Sequence, residues 1–195
     1  MNNKTKKMNN KPKGKDLYRR TSLQILVFLS LNPGDVFSAQ EISRKAQTSK
    51  GATHQTLKRL LFLKIISRER KGNLFLYKLN QDEPILKYFK IFQIILEIQH
   101  LIQQIKPYCY QIILFGSCAN GENVQGSDID LFIKTDTPEI VQKFIKKYGY
   151  DELHIKAAIY DPLELLEAQK DDKDFFGEVR KGIVLWEGKP DHDEV

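Results

Sequence analysis

Between Leu114 and Leu131 the chain reads LFGSCANGENVQGSDIDL. An apolar run, Cys109–Phe115, stops at Gly116-Ser117, a stretch rich in Asn and Gly follows, and a second apolar run opens with Asp128-Ile129-Asp130. Along a strand successive side chains point to opposite faces, so Asp128 and Asp130 share one face while Ile129, Leu131 and Ile133 share the other. Two carboxylates at that spacing stand roughly 6–7 Å apart. They repel, and with no cation nearby one of them holds its proton more tightly. Hard divalent cations prefer oxygen ligands and keep part of their water, which suits such a pair. The Gly116-Ser117 turn offers unhindered backbone N–H groups and a hydroxyl, which a phosphate chain can approach closely. Together these are the parts for metal-assisted phosphoryl or nucleotidyl transfer. A calcium-type acidic loop or a chance acidic turn fits the apolar strand context poorly.

The remainder of the C-terminal half supplies a frame for that stretch. Residues 137–148 read as a helix opening with Thr137-Pro138-Glu139, residues 152–160 as a third strand, and a helix starts at Asp161-Pro162. Another helix near 173–181 and a closing strand over 182–186 complete an α/β unit. If the third strand runs beside the aspartate strand through a crossover connection, its beginning lies near the aspartates.

Charge divides the chain. Residues 1–80 hold 18 Lys+Arg and 4 Asp+Glu, a balance of +14, while residues 81–195 carry −8. A split this large indicates two modules with different partners, the basic one drawn to polyanions. Residues 1–16, with six lysines and few apolar groups, read as a solvated basic tail, yet residues 17–80 alone still carry +9. Within them, residues 17–31 place Leu23, Leu26, Val27 and Leu31 at helical spacing, and Asn32-Pro33-Gly34-Asp35 ends the helix. Ser38 with Glu41 forms a capping box before a short helix. Thr48-Ser49-Lys50-Gly51 is a turn and a new N-cap. The next helix turns Leu57, Leu60, Leu61 and Ile65 inward and leaves Lys50, Thr53, His54, Gln55, Lys58 and Arg59 outside. A strand carrying Arg68 and Arg70, a basic turn around Lys71-Gly72-Asn73 and a return strand follow.

Helix, short helix, turn, longer helix and hairpin is the order of a winged helix-turn-helix. A protruding helix with hydroxyl, amide and cationic side chains can enter the major groove while a basic hairpin reaches phosphate beside it. Residues 17–80 resemble the winged-helix domains of bacterial and archaeal transcriptional regulators. The implied DNA-binding residues are Lys50, Thr53, His54, Gln55, Lys58, Arg59, Arg68, Arg70 and Lys71. A small helical adaptor whose charges only keep it soluble is the plainer alternative.

Residues 81–107 connect the modules. The pattern over 82–106 is a long helix with Pro84 in its first turn and apolar residues (Ile85, Phe89, Phe92, Ile95, Leu96, Ile98, Ile102, Ile105) on more than one narrow stripe. Such a helix calls for cover on most of its circumference. A homodimer and packing within one chain both satisfy that.

The arrangement around the aspartates resembles the nucleotidyltransferase superfamily that includes DNA polymerase β, above all its small prokaryotic members. The family pattern is Gly-Ser, ten residues, then Asp-x-Asp. Here Gly116-Ser117 is followed by residues 118–127 and then Asp128-Ile129-Asp130, with Gly121 and Ser127 also in family positions. The late Lys181-Gly182-Ile183-Val184-Leu185 resembles the closing strand of those members. The resemblance spans about residues 88–188 and implies a nucleotidyltransferase-like mixed sheet flanked by helices over 108–188, with a short tail at 189–195. It implies that Gly116, Ser117 and Ser127 hold nucleotide and that Asp128 and Asp130 ligate Mg²⁺. It further implies a nucleoside triphosphate such as ATP as substrate and a hydroxyl acceptor, for which a partner protein such as a toxin is one candidate. Active members carry a third carboxylate on the strand after the helix. Glu152 is the best match, His154 the next, Asp161 lies at the wrong end, and Lys156 is out of keeping with a metal site. Two readings follow: a Mg²⁺-dependent nucleotidyltransferase with Asp128, Asp130 and Glu152 as catalytic residues, or a transcriptional regulator whose inactive domain senses nucleotide or dimerises.

The hydrophobic fraction of 41% supports real cores and argues against wholesale disorder. No uncharged apolar run is long enough to span a membrane, and the N-terminus lacks the apolar centre of a secretory signal. Cys109 and Cys118 fit no metal spacing and are expected as reduced thiols. These features make a cytoplasmic location the expectation. The fold expected is a two-domain α+β and α/β chain: winged helix-turn-helix, long connecting helix and nucleotidyltransferase-like domain.

Overall fold

The computed structural model describes residues 19–148 and 154–189, and the chain divides between Glu83 and Pro84 into two compact units. The N-terminal unit runs α1 (Arg20–Leu31), β1 (Val36–Ser38), α2 (Ala39–Lys45), α3 (Lys50–Phe62), β2 (Ile66–Lys71) and β3 (Leu74–Leu79). Its strands form an antiparallel sheet in the order β1-β3-β2. The expected capping box is present: Ser38 Oγ accepts from the Glu41 N–H at 3.3 Å and Glu41 Oε2 accepts from the Ser38 N–H at 2.8 Å. Ser49 caps α3 by accepting from the Ala52 N–H at 3.3 Å.

The core of this unit is Ile25, Leu26, Leu29, Ile42, Leu57, Leu60, Ile65 and Ile66. The inward face of α1 differs from the sequence expectation. Leu26 is buried, but Leu23 is exposed and Val27 and Leu31 are half-buried, while Ile25 and Leu29 take the inner positions. The helix is apolar nearly all round, so periodicity alone gave it no preferred face. Strand β1 was not expected either. At three residues it is too short for an alternation signal, and it is held by pairing Val36–Ser38 with Leu76–Lys78.

The C-terminal unit opens with α4 (Pro84–Ile105) and continues β4 (Cys109–Phe115), α5 (Gly116–Asn120), β5 (Ile129–Thr135), α6 (Pro138–Tyr148), β6 (Ile155–Tyr160), α7 (Pro162–Asp171), α8 (Lys173–Arg180) and β7 (Ile183–Glu187). The sheet is mixed, in the order β6-β5-β4-β7, with β6 parallel to β5 and the other pairs antiparallel. On one face Ile112, Leu114, Ile129, Leu131 and Ile133 pack against Ile94, Ile98, Leu101, Ile102 and Ile105 of α4 and Val141 and Ile145 of α6. On the other, Ile113 and Phe132 meet Leu165, Phe176 and Val179 of α7 and α8. The second part of α4 thus covers the sheet, as expected of it. Along the first part of α4, Ile85, Tyr88, Phe92 and Leu96 are exposed. Among the described residues no helix is long and apolar enough to cross a membrane.

Candidate nucleotide site and candidate nucleic-acid surface

The site lies at one end of the C-terminal sheet. β4 ends at Phe115, and Gly116 turns the chain into α5 with a φ of +69°, a conformation that favours glycine. A second reason requires glycine there. A Cβ on Gly116 would come within 2.8 Å of Asp130 Oδ2, so the carboxylate lies directly over the backbone. The Gly-Ser pair expected as a plain turn is therefore a turn fused to the first residues of a short helix. At its other end Gly121 has a φ of +68°, and a Cβ there would meet the Lys87 carbonyl oxygen at 2.5 Å, so α5 docks closely on α4.

The loop from Gly121 to Asp128 is tied down along its length. Lys90 of α4 is only 7% exposed, and its Nζ donates to the Asn123 carbonyl at 2.6 Å. Burial pushes its ammonium below the usual lysine range. Ser127, expected to touch nucleotide, accepts from the Val124 N–H at 2.8 Å and closes a turn within the loop. Cys118 donates its thiol to the Asp128 carbonyl at 3.3 Å.

Register decides what faces the aspartates. β4 pairs Phe115 with Asp130, and parallel β6 pairs Lys156 with Asp130. Asp128 stands just before β5, on the same face as Asp130 and Phe132. Lys156 reaches across and places its Nζ 2.6 Å from Asp128 Oδ2, with the side chains 68% and 37% exposed. Burial raises the Asp130 carboxyl above its ordinary value; Lys156 acts against that rise, and Asp128 adds to it. The hydrogen bond to Asp128, with the charges of both aspartates, holds the Lys156 ammonium above its own. Beside Gly116 opens a cleft of about 580 Å³ lined by Phe115, Lys173, Phe175 and Lys181, among others. Lys181 is paired with Glu178 at 2.6 Å.

Sequence reasoning undervalued three lysines. Lys156 is foreign to a metal site by residue type, yet the even spacing from Lys156 through Ala158 to Tyr160, aligned in parallel with Asp130 through Lys134, places it opposite the carboxylates. Lys90 and Lys173 carried no sequence signal. Glu152 lies outside the described residues. His154 is exposed and passes its carbonyl to the Ile129 N–H at 2.8 Å, and Asp161 caps α7 through the Leu163 and Glu164 N–H groups.

A divalent ion would find a poor donor set here. Among the described residues no three His, Cys, Asp or Glu side chains are grouped to hold one. The two carboxylates present already face an ammonium, which a hard cation drawing the rest of its shell from water and phosphate would have to displace. Among the described residues Asp128 and Asp130 are the carboxylates a divalent ion would use, and Lys156 competes for them.

In the N-terminal unit, α3 presents Lys50, His54 and Lys58 at four-residue spacing on one exposed stripe, with Gln55 exposed beside it and Arg59 half-buried. Arg68, Arg70 and Lys71 of β2 are exposed; Arg68 stacks over Phe75 at 4.2 Å, and Arg70 donates to the Gly72 carbonyl at 3.0 Å. Thr53 corrects the expectation of an outward residue. It is 0% exposed, and its hydroxyl meets Thr48 Oγ1 at 2.7 Å and the Ser49 carbonyl at 2.9 Å. It builds the turn between α2 and α3 and leaves the outer stripe to the longer side chains. A cleft of about 780 Å³ runs along α2 and the hairpin, lined by Arg44, Thr48, Lys50 and Lys71, among others.

Residues 95–180 match the family model of the nucleotidyltransferase domain, so a domain of that class is present in the C-terminal half. Among solved structures, a predicted DNA-binding transcriptional regulator from E. coli shares 28% identity, with 42% of this chain and 82% of that one covered and a TM-score of 0.36. A candidate nucleotidyltransferase from Sulfolobus solfataricus shares 15% identity over 55% of this chain and 93% of its own, with a TM-score of 0.37. No curated protein matches the chain. The assignment of the domain rests on the match over residues 95–180.

Proposed function

We propose that the chain is a DNA-binding regulator in which a winged helix-turn-helix over residues 17–80 is joined through α4 to a nucleotidyltransferase domain that binds a nucleoside triphosphate without turning it over. The observation that carries the non-catalytic reading is the ion pair of Lys156 with Asp128, at the register position opposite Asp130. In an active arrangement that neighbourhood holds a carboxylate. The positive φ of Gly116 and the backbone N–H groups at the start of α5 support a phosphate contact, with the Ser117 hydroxyl beside it. The adjoining cleft supplies Lys173 and Lys181 as further phosphate contacts and the Phe115 and Phe175 rings as a wall for a base. In the N-terminal unit, the Lys50, His54 and Lys58 stripe would enter the major groove, with Arg68, Arg70 and Lys71 on phosphate. A cytoplasmic location fits this reading.

A second reading is nucleotidyl transfer to a hydroxyl acceptor, a partner protein such as a toxin included. The match over residues 95–180 and the intact Gly-Ser and Asp-x-Asp motif favour it. One comparison separates the two. Operator binding and transfer from labelled ATP to cellular acceptors are measured for wild type and for Asp128→Ala plus Asp130→Ala. The regulator reading expects salt-dependent DNA binding and no label in any acceptor. Label that disappears in the double variant establishes the transferase instead.

A further inference from the structure

Lys156 carries more than the absence of a carboxylate. Its ammonium sits 2.6 Å from Asp128 Oδ2 and stands opposite Asp130 in the parallel register, so it already offsets one of the pair's two negative charges. The rest of the neighbourhood is built around that arrangement. Asp130 Oδ2 lies 2.8 Å from where a Cβ on Gly116 would stand, and the Asp128 backbone carbonyl accepts from the Cys118 thiol at 3.3 Å. A divalent ion bridging the two carboxylates would occupy the space of the ammonium, and two cations a few ångströms apart repel strongly even at an exposed site.

We infer that Lys156 is the resident cation of this site and that its ion pair and a divalent metal ion at Asp128 and Asp130 exclude one another. This rests on the reading of Gly116–Asp130 as a phosphate-binding site with a carboxylate pair. The consequence is a site whose metal affinity is set by one side chain. Removing the charge frees the two aspartates, and placing a carboxylate at residue 156 gives a third oxygen donor on the same face of neighbouring strands.

Mn²⁺ binding, followed by the loss of its free electron paramagnetic resonance signal, tests the inference on the full-length chain. Wild type should bind Mn²⁺ at this site only in the millimolar range. Lys156→Met should tighten binding about tenfold, and Lys156→Asp about a hundredfold, by the Coulomb change alone. Both gains should vanish when Asp128→Ala and Asp130→Ala are added. Lys156 is largely exposed, so these variants keep the fold, and far-ultraviolet circular dichroism checks this. Micromolar Mn²⁺ binding by wild type that depends on Asp128 and Asp130 overturns the inference, as does a Lys156→Met affinity within twofold of wild type. ATP binding by wild type in EDTA is measured in parallel. Its absence counts against the nucleotide-binding reading, whereas the Mn²⁺ series decides the role of Lys156.

Discussion

The two units handle charge in opposite ways. In the N-terminal unit, Lys50 and Lys58 of α3 and Arg68, Arg70 and Lys71 of β2 are exposed, with His54 on the same stripe of α3. In the C-terminal unit the carboxylates of Asp128 and Asp130 sit partly buried at a sheet end and have a lysine supplied by the neighbouring strand. The difference follows from what each surface can leave to a partner. Exposed like charges are cheap in water and give their free energy when a polyanion releases its counterions. Half-buried like charges are costly at all times, so the fold itself supplies the compensating charge.

That contrast can be broken at its structural supports first. Gly121→Val places a branched side chain at a positive φ against the Lys87 carbonyl oxygen, and should destabilise the C-terminal unit by about 4 kcal/mol. Calorimetry should show the loss, and DNA binding by the N-terminal unit at low temperature should survive. An unchanged melting profile would refute the close docking of α5 on α4.

An alkaline limit comes next. Burial pushes the Cys109 thiol from 9.0 to about 12. A group whose folded value is raised contributes stability in full below the unfolded value and loses it as pH climbs toward the folded one. The loss from Cys109 therefore begins near pH 9 and reaches about 3 kcal/mol by pH 11. Lys90 has the opposite sign. Its folded value is lowered, so its contribution improves as pH rises toward 10.5. Denaturant titrations from pH 8 to 11 on wild type and Cys109→Ala isolate the thiol: wild type should lose stability more steeply. Parallel curves would mean the thiol is not held protonated by the fold.

DNA affinity sharpens the other side of the contrast. Lys58→Ala plus Arg59→Ala should weaken operator binding about 10- to 100-fold and reduce the salt slope by about 1 to 2. Fluorescence anisotropy at several salt concentrations reads both, and a slope that does not move removes these residues from the phosphate contacts. The smallest effect is local. Ser38→Ala deletes the hydroxyl half of a capping box seen in both directions and should cost about 1 kcal/mol. A loss under 0.3 kcal/mol, on the order of thermal energy or less, would show the box to be incidental.

Much of this architecture is legible in the residues because local rules and the fold agree. Ser38 with Glu41, Ser49 before α3, and Gly72 at the hairpin turn are punctuation that works over a few residues, and each falls where it was read. The Gly-Ser and Asp-x-Asp pair likewise lands on one sheet end because strand alternation fixes the faces. What could not be read depends on pairing across long separations. Lys156 acquires its meaning only when β6 lies parallel to β5 in one register. Thr53 turned inward because its hydroxyl serves the turn before α3, a use that polarity alone does not announce. The inner face of α1 was undecidable for a helix apolar on most sides, and β1 exists only through its partner strand.

The parallel pairing of β5 with β6 has a kinetic side. Asp128 and Lys156 are joined through the α6 crossover, so their ion pair forms only after a non-local strand pairing has closed. A slip of one residue would turn Lys156 to the opposite face and leave the aspartates facing each other alone. The ammonium therefore meets the acidic pair in the same register that turns Ile155, Ala157 and Ile159 onto the core face.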